Sequence, residues 1–324
     1  MPAAALIVLF MLTAGLWFSA CGAHREGEVT IRVSPGASTA DIARELAGED
    51  VIDSEKDFTS KANAAGIDQK LKAGTYSFQR GEPIESILDK LAQGLQTPED
   101  VLTVPEGYSL GDTAGLVAAK TGIAKSAYIA AAAANGRTLP LQGSSGATDL
   151  EGFLFPSTYN LDPGMDAKSL VDKQLETFKD RVAPLAWENA AKLGLTEYQA
   201  LTVASMVERE ARVPEERPLV AAVIYNRMAA GMKLEIDATV QYAIGYWKRD
   251  LTVDDLATPS PYNTRLYAGL PPGPICNPGL DSIRAALSPA SVDYLYYVAK
   301  GDEAGHHYFT SSYEDFLKFG KETP

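Results

Sequence analysis

The feature that most constrains this chain is an uncharged run near its start, since residues Pro2 to Ala23 contain no Asp, Glu, Lys, Arg or His. As a helix, these 22 residues would extend over roughly 33 Å, enough to cross a hydrocarbon core of about 30 Å. The run lacks the basic start of a cleaved signal peptide. We therefore predict a membrane anchor over residues 1–23. A lipoprotein signal is the alternative, because Phe18-Ser19-Ala20-Cys21 resembles a lipobox that ends in a modifiable cysteine.

Composition and charge limit what the remaining residues do. The chain has 324 residues, 46% of them hydrophobic and 22% charged, which is typical of a folded protein with room for two domains. The formal net charge of −13 argues against nucleic acid as a partner, because that binding requires Lys and Arg to neutralise phosphates. Cys276 is the only cysteine outside the predicted anchor region, so no intramolecular disulfide is predicted.

Residues 29–98 are predicted to form a first compact unit after a short linker, 24–28. The alternation in Val29–Val33 predicts a strand, and Ser38 is a good N-cap for a helix over Thr39–Ala47. The other predicted elements are a helix over about Ser54–Ala65, a strand at Gly74–Phe78 and a helix at Pro83–Gln93.

The next stretch repeats the start of this unit. Leu102–Ala114 aligns with Ile31–Ala43 at an offset of 71 residues, with identical residues at the positions of Val33, Gly36, Ser38, Asp41 and Ala43. The repeat predicts that a strand, a tight turn and a capped helix occur twice. Two copies are too few for a solenoid.

Residues 99–318 are predicted to form a second domain, followed by a tail, 319–324. Short strand-like runs lie between helices in this region, so we predict an α+β fold class. The predicted helices are Ala127–Ala134, Ala167–Arg181, Pro184–Leu193, Thr196–Arg212, Pro214–Ala230 and Asp281–Leu287, and the strand-like runs are Tyr294–Ala299 and Tyr308–Thr310.

The chemistry-bearing residues indicate carboxylate catalysis. The three histidines are His24 and the adjacent pair His306-His307, and no HExxH spacing is present, so no metal site is predicted. The sequence also lacks a G-x-S-x-G nucleophile motif and a phosphate-binding Gly-Lys motif. No cofactor is implied.

Two acids near the end of the Thr196–Arg212 helix are candidates for a general acid. Glu208 lies at the margin of the apolar face, where partial burial would raise its pKa and suit that role. Glu210 projects towards Met206 and Val203 equally well. Spacing alone therefore leaves both residues open, as well as the interpretation that they are ordinary helix carboxylates paired with neighbouring arginines.

A rigid loop follows further along the chain. Seven of the eleven residues in Gly269–Gly279 are Gly or Pro, which fixes a long loop at low entropic cost. Such a loop suits sugar binding or a structural wrap around the core, and composition does not choose between them.

Several strings together resemble the MltG/YceG family of endolytic murein transglycosylases, and the resemblance runs in order from about residue 29 to 318. The strings are Leu150-Glu151-Gly152-Phe153-Leu154-Phe155-Pro156-Ser157-Thr158-Tyr159, Val207-Glu208-Arg209-Glu210, Glu216-Arg217, Asn226-Arg227, Gly231-Met232, Tyr262-Asn263-Thr264 and Gly269-Leu270-Pro271-Pro272-Gly273-Pro274-Ile275. The resemblance implies a single membrane span, a LysM-like module over 29–98 and a YceG-like catalytic domain over 99–318 that faces the cell wall from the plasma membrane.

The resemblance also implies an activity and a site. It implies cleavage of the β-1,4 bond between N-acetylmuramic acid and N-acetylglucosamine in nascent peptidoglycan, with a 1,6-anhydromuramoyl end as product. It matches Glu208 to the catalytic glutamate, acting first as acid and then as base. Peptidoglycan synthases of the penicillin-binding class are implied partners. The implied substrate-binding residues are Asn226, Asp237, Tyr262, Asn263, Thr264 and Glu216, the last of which alternatively holds two helices together.

The sequence departs from the family pattern at two positions, and two other classes of function stay open. Ala238 stands where the family commonly has Pro, and Cys276 where Ser is common, which affects the expected subsite shape. A hydrolytic muramidase would use a second carboxylate, Asp237 or Glu216, to activate water. A noncatalytic wall-binding scaffold would rely on the LysM-like module alone.

Overall fold

The computed structural model describes residues 27–34, 36–68, 70–94, 101–162, 164–247 and 250–322. The predicted anchor over 1–23 lies outside these residues. Within them, no helix combines the length and the apolar character needed to cross a membrane. The chain divides into two compact units between Thr97 and Pro98, one residue before the predicted boundary.

The first unit is a two-stranded antiparallel sheet with three helices. Strand β1 (Glu28–Val33) pairs with β2 (Gly74–Gln79), and the alternating side chains of Ile31 and Tyr76 face each other in the core. The helices are α1 (Thr39–Gly48), α2 (Glu55–Ala64) and α3 (Ile84–Gln93). Each element lies within one or two residues of its predicted bounds, and the LysM-like role of this unit stays a prediction.

The second unit contains two further sheets of two strands and ten helices in the described residues. The strands are β3 (Val101–Thr103) with β4 (Thr158–Asn160), and β5 (Tyr296–Ala299) with β6 (His307–Thr310). The helices are α4 (Leu110–Thr121), α5 (Lys125–Ala131), α6 (Ala167–Val182), α7 (Glu188–Lys192), α8 (Glu197–Glu210), α9 (Arg217–Ala229), α10 (Asp237–Ile244), α11 (Val253–Leu256), α12 (Leu280–Leu287) and α13 (Tyr313–Glu322). The α+β class is confirmed.

The internal repeat is confirmed as a repeated local structure. Asp41 N–H donates to Ser38 Oγ at 3.2 Å and Ser38 N–H donates back to the Asp41 carboxylate at 3.2 Å. Ser109 and Asp112 form the same capping box, with both distances at 3.1 Å. The two strands nevertheless pair with different partners, β1 with β2 and β3 with β4, so the repeat is a strand, a turn and a capped helix rather than a whole domain.

Several predicted helix bounds in the second unit are wrong. Helix α5 ends at Ala131, three residues before the predicted end. Helix α7 starts only at Glu188, because the Trp187 indole N–H donates to Val182 O at 3.0 Å and residues 183–187 turn back on the end of α6. Residues Pro214–Glu216 form a 3-10 turn before α9. Helices α10, α11 and α13 were not predicted, and α13 extends to Glu322, past the predicted start of the tail.

Helix α8 is the central element of the second unit. A capping box of Thr196 and Gln199 starts it, and every side chain from Ala200 to Val207 is buried. It packs against α7, α9, α10 and α12. Because the helix is held on all sides, its partly buried last turn, Glu208 to Glu210, has a fixed place at the edge of the core.

Candidate active site

A cavity of about 500 Å³ opens at the end of α8, and we call it the Glu210 cavity. This volume lies in the range typical of ligand-binding clefts. Helices α8, α9, α10 and α13 and strand β5 all contribute to its wall. Its charged lining residues are Glu210, Glu235, Asp237, Arg227 and Arg265, and its aromatic lining residues are Tyr296, Tyr297, Tyr313 and Phe316.

Glu210 is the carboxyl group best placed in this cavity to exchange a proton. Burial raises its pKa above the usual range, and the negative charge of Asp237 raises it further. The Tyr297 hydroxyl donates to Glu210 Oε2 at 2.9 Å and, with His307 and the Ala238 N–H, opposes that rise. A carboxyl group with a raised pKa stays protonated closer to neutral pH, as a general acid requires.

Asp237 is the first residue of α10 and a second acid of the cavity. Arg265 forms an ion pair with it at 2.6 Å. The backbone at this point is held by Thr264, whose hydroxyl accepts from Ile236 N–H at 3.1 Å and shares a hydrogen bond with Thr239 at 2.9 Å. Thr264 is buried, so it places Asp237 through the backbone.

Arg227 is a cavity residue that the sequence-based prediction missed. Its guanidinium donates to Leu295 O at 2.7 Å, to Leu234 O at 2.9 Å and to Glu235 Oε2 at 3.0 Å. These bonds join the end of α9, the segment before α10 and the start of β5. The Asn226-Arg227 string was the available signal, but only Asn226 was predicted as functional.

Five of the six predicted substrate-binding residues, Thr264 among them, are not among those that line the Glu210 cavity. Asn226 donates to Val292 O and Tyr294 O, both at 2.9 Å, and anchors the segment before β5. Asn263 is fully buried and donates to Leu256 O at 3.0 Å and Thr258 O at 2.9 Å. These are structural bonds within the protein, and a substrate contact by either residue stays a prediction.

Glu216 and Tyr262 complete the predicted set. The Glu216 carboxylate accepts from His307 N–H at 2.9 Å and bonds its Nδ1 at 2.7 Å, so it anchors β6 to the turn before α9. Tyr262 packs against Tyr242 with ring centres 4.8 Å apart, and burial raises the pKa of Tyr262 to about 12. Their substrate contacts likewise stay predictions.

Glu208 occupies a different environment from Glu210. Its Oε2 accepts from Gly279 N–H at 3.0 Å, at the N-terminus of α12, and it is not among the described residues lining the Glu210 cavity. Negative charge is favourable at that end of a helix. Glu106 lies beside it, where burial and then the charge of Glu208 raise the pKa of Glu106. The contacts of Glu208 are thus those of a helix-capping carboxylate.

The final part of the Gly-Pro-rich loop, Ile275 to Asn277, has a structural role and packs against α8. Ile275 N–H donates to Ser205 Oγ at 3.0 Å. Asn277 accepts from Leu154 N–H at 2.9 Å and donates to Tyr108 O at 2.9 Å. Ile275, Cys276 and Asn277 are all fully buried, which favours the structural interpretation of these residues over sugar binding. Across the described ranges, no group of His, Cys, Asp or Glu side chains is arranged to hold a metal ion.

The model of the YceG-like family matches residues 31–322, from β1 to the end of α13. The chain belongs to the YceG-like family. A relative from Bacillus subtilis (strain 168), named endolytic murein transglycosylase, is 33% identical over 305 residues, covering 90% of this chain and 83% of the relative. One of the same name from Streptococcus pneumoniae (strain D39) is 30% identical over 96% of this chain, which spans 62% of that protein's length.

The fold is also that of a solved YceG-like structure. A crystal structure of a YceG-like protein from Listeria monocytogenes superposes with a TM-score of 0.62 at 30% sequence identity. The match covers 91% of this chain and 99% of the Listeria chain. The YceG-like fold therefore extends over most of this chain.

Proposed function

We propose that this YceG-like chain is an endolytic murein transglycosylase. Two relatives that bear this name match 90% and 96% of the chain, which supports the enzyme class and its peptidoglycan substrate. The bond we propose is the β-1,4 bond between N-acetylmuramic acid and N-acetylglucosamine, with a 1,6-anhydromuramoyl end as product.

Glu210, rather than Glu208, is the acid that this proposal uses. The single observation that carries the choice is that Glu210 lines a cavity of about 500 Å³ with a pKa raised by burial. Glu208 instead bonds the backbone N–H of Gly279. A general acid must reach the atom that it protonates, and that requirement favours the residue that faces the open cavity.

The proposed reaction needs one carboxyl group in two successive roles. Glu210 protonates the glycosidic oxygen as the bond to muramic acid C1 breaks. The C6 hydroxyl of the same muramic acid then attacks C1, and the Glu210 carboxylate accepts its proton, which restores the starting state. The nucleophile belongs to the substrate, so the reaction has the advantage of an intramolecular step. The charge of Asp237 would favour the positive character that develops at C1.

The hydrolytic alternative differs in its product. Asp237 shares the cavity with Glu210 and would be the carboxylate that activates water. Glu216 is the weaker candidate for this role, since both of its oxygens bond His307. Hydrolysis would leave a reducing end on muramic acid in place of the anhydro end.

The test is a digest of purified glycan strands by wild type, Glu210→Gln and Glu208→Gln, with products identified by mass spectrometry. We expect anhydro ends from wild type and a loss of about 10²- to 10⁴-fold in rate for Glu210→Gln, the usual contribution of general acid–base catalysis. Glu208→Gln is the matched control, two residues away on the same helix.

Each other outcome has a definite meaning. Reducing ends would establish the hydrolytic alternative. If folded Glu208→Gln is inactive while Glu210→Gln keeps its rate, the acid is Glu208, as the family resemblance implied. If the strands stay intact after incubation with wild type, the noncatalytic wall-binding scaffold is the hypothesis that remains.

We also propose a location and partners. Residues 1–23 would anchor the chain in the plasma membrane, with the two units outside the cytoplasm, close to peptidoglycan synthases of the penicillin-binding class. Protease treatment of intact spheroplasts tests this arrangement, because digestion of the two units is expected and full protection would contradict it.

A further inference from the structure

A second cavity, of about 280 Å³, lies between the first turn of α4 and the last turn of α10, and we call it the Trp247 cavity. Its lining includes three aromatic side chains together with carboxyl and amide groups. Among the lining residues are Asp112, Glu151, Gln241, Tyr242, Tyr246 and Trp247. The mechanism proposed above uses none of them.

The indole of Trp247 is held in place before any ligand binds. Its Nε1–H donates to Asp112 Oδ2 at 2.7 Å. The Asp112 carboxylate is fixed in turn by the Ser109 capping box. The Arg209 guanidinium lies 3.7 Å from the centre of the indole ring. A ring held by its edge and by a cation in this way is preorganised, so a ligand would not have to order it.

The chemistry of the lining fits a saccharide. The C–H faces of a pyranose ring pack on aromatic rings, and Tyr246, the neighbour of Trp247 in the chain, is 52% exposed. Sugar hydroxyl and acetamido groups need carboxylate and amide partners, which Asp112 and Gln241 carry. Mostly apolar pockets with a few fixed polar groups are typical binding sites for small organic ligands.

Two helices, α10 and α8, have residues at or next to both the Trp247 cavity and the Glu210 cavity. Helix α10 has Asp237 at its first residue in one cavity and Gln241 and Tyr242 near its end in the other. At about 1.5 Å per residue, its eight residues extend about 12 Å, a few sugar units along a strand. On α8, Arg209 beneath Trp247 directly precedes Glu210.

We propose that the Trp247 cavity is a distal subsite that binds a sugar of the same glycan strand a few units away from the cleaved bond. This inference rests on the proposed function. An internal cut requires sugars on both sides of the bond, and binding energy at a distant subsite is available only to strands long enough to reach it. The subsite thus favours long strands over short oligosaccharides.

The test compares kcat/KM for long peptide-free strands with kcat/KM for the shortest oligosaccharide that is cleaved. For Tyr246→Ala, we expect the ratio of kcat/KM for long strands to kcat/KM for the short oligosaccharide to fall about tenfold. This loss corresponds to one well-placed stacking contact. Tyr267→Ala is the matched control, because Tyr267 is also 52% exposed but is not among the residues lining either cavity. The control should leave the ratio unchanged.

A binding measurement keeps the test independent of turnover. Titration of Glu210→Gln with long strands should change the tryptophan fluorescence, and the added substitution Trp247→Phe should remove that change. An unchanged length ratio in Tyr246→Ala, or a fluorescence response that persists in the Trp247→Phe protein, overturns the subsite. The comparison is repeated with strands that carry stem peptides. If Tyr246→Ala lowers the length ratio only on those strands, the cavity binds a peptide, which overturns the sugar assignment. The absence of anhydro products from wild type on any strand would refute the proposed function itself, which is a separate result.

Discussion

Glu151 gives the most direct test of the electrostatics, because it is a carboxyl group in the core. Its side chain is only 4% exposed, and its two oxygens accept from Leu110 N–H at 3.0 and 2.9 Å. Burial raises the pKa of Glu151 to about 8, against 4.5 for an ordinary glutamate. The folded protein therefore holds this proton through most of the range from pH 4.5 to 8, whereas the unfolded chain releases it.

The sign and the size of the effect follow from proton linkage. Since the folded state binds more protons than the unfolded state between these two pKa values, the free energy of unfolding falls as the pH rises, by about 1.4 kcal/mol per pH unit. From pH 5.5 to 7.5 the loss is about 2 to 3 kcal/mol. For a domain of this size, that corresponds to a drop in Tm of roughly 5 to 11 °C.

The assay is thermal unfolding at pH 5.5, 6.5 and 7.5, followed by circular dichroism, for wild type and Glu151→Gln. We expect the substitution to remove this part of the pH dependence, because glutamine does not titrate. Other acids with a raised pKa, Glu106 and Glu210, contribute equally to both proteins and cancel in the difference. Glu176→Gln on the exposed face of α6 is the control and should keep the wild-type slope. Equal slopes for wild type and Glu151→Gln would refute the reasoning.

Two further substitutions test the cavity and the loop. Tyr297→Phe removes the hydroxyl that stabilises the charged form of Glu210, so the pKa of Glu210 should rise. The alkaline limb of the pH profile of kcat/KM should then move to higher pH. An unmoved limb would show that this hydrogen bond does not affect the pKa of Glu210. Asn277→Ala leaves the buried Leu154 N–H without its acceptor, so the free energy of unfolding, measured by urea titration, should fall by about 1 to 3 kcal/mol. A loss well below about 1 kcal/mol would contradict the structural role of the Gly-Pro-rich loop.

The parts of the fold that were predictable from the sequence depend on residues close together in the chain. The capping boxes of Ser38 and Ser109 involve an aspartate only three residues away, and both helices begin where the pattern predicts. Helix α10 was missed because its N-cap, Ile236, has no capping side chain. Thr264 holds that start instead, from 28 residues further along the chain, and no local pattern contains such a contact.

The difference between local and long-range contacts also explains why the sequence did not choose between the two candidate acids of α8. Helical spacing identified the last turn of α8 but left Glu208 and Glu210 open, because both lie in that partly buried turn. The contacts that separate them come from Gly279, 71 residues beyond Glu208, and from Tyr297, 87 residues beyond Glu210. The family resemblance matched the motif but did not contain these contacts.

The last turn of helix α8 places three successive side chains in three different environments, because successive helical residues point about 100° apart. Glu208 bonds the N-terminus of α12, Arg209 packs against the Trp247 indole and Glu210 faces the large cavity. One helix end therefore fixes a structural cap, an aromatic platform and the proposed acid relative to one another. The buried stretch from Ala200 to Val207 allows little movement of that end, so the core fixes the positions of Arg209 and Glu210 relative to each other. Because Arg209 lies against the Trp247 indole, this helix end also places the proposed distal subsite relative to the proposed acid.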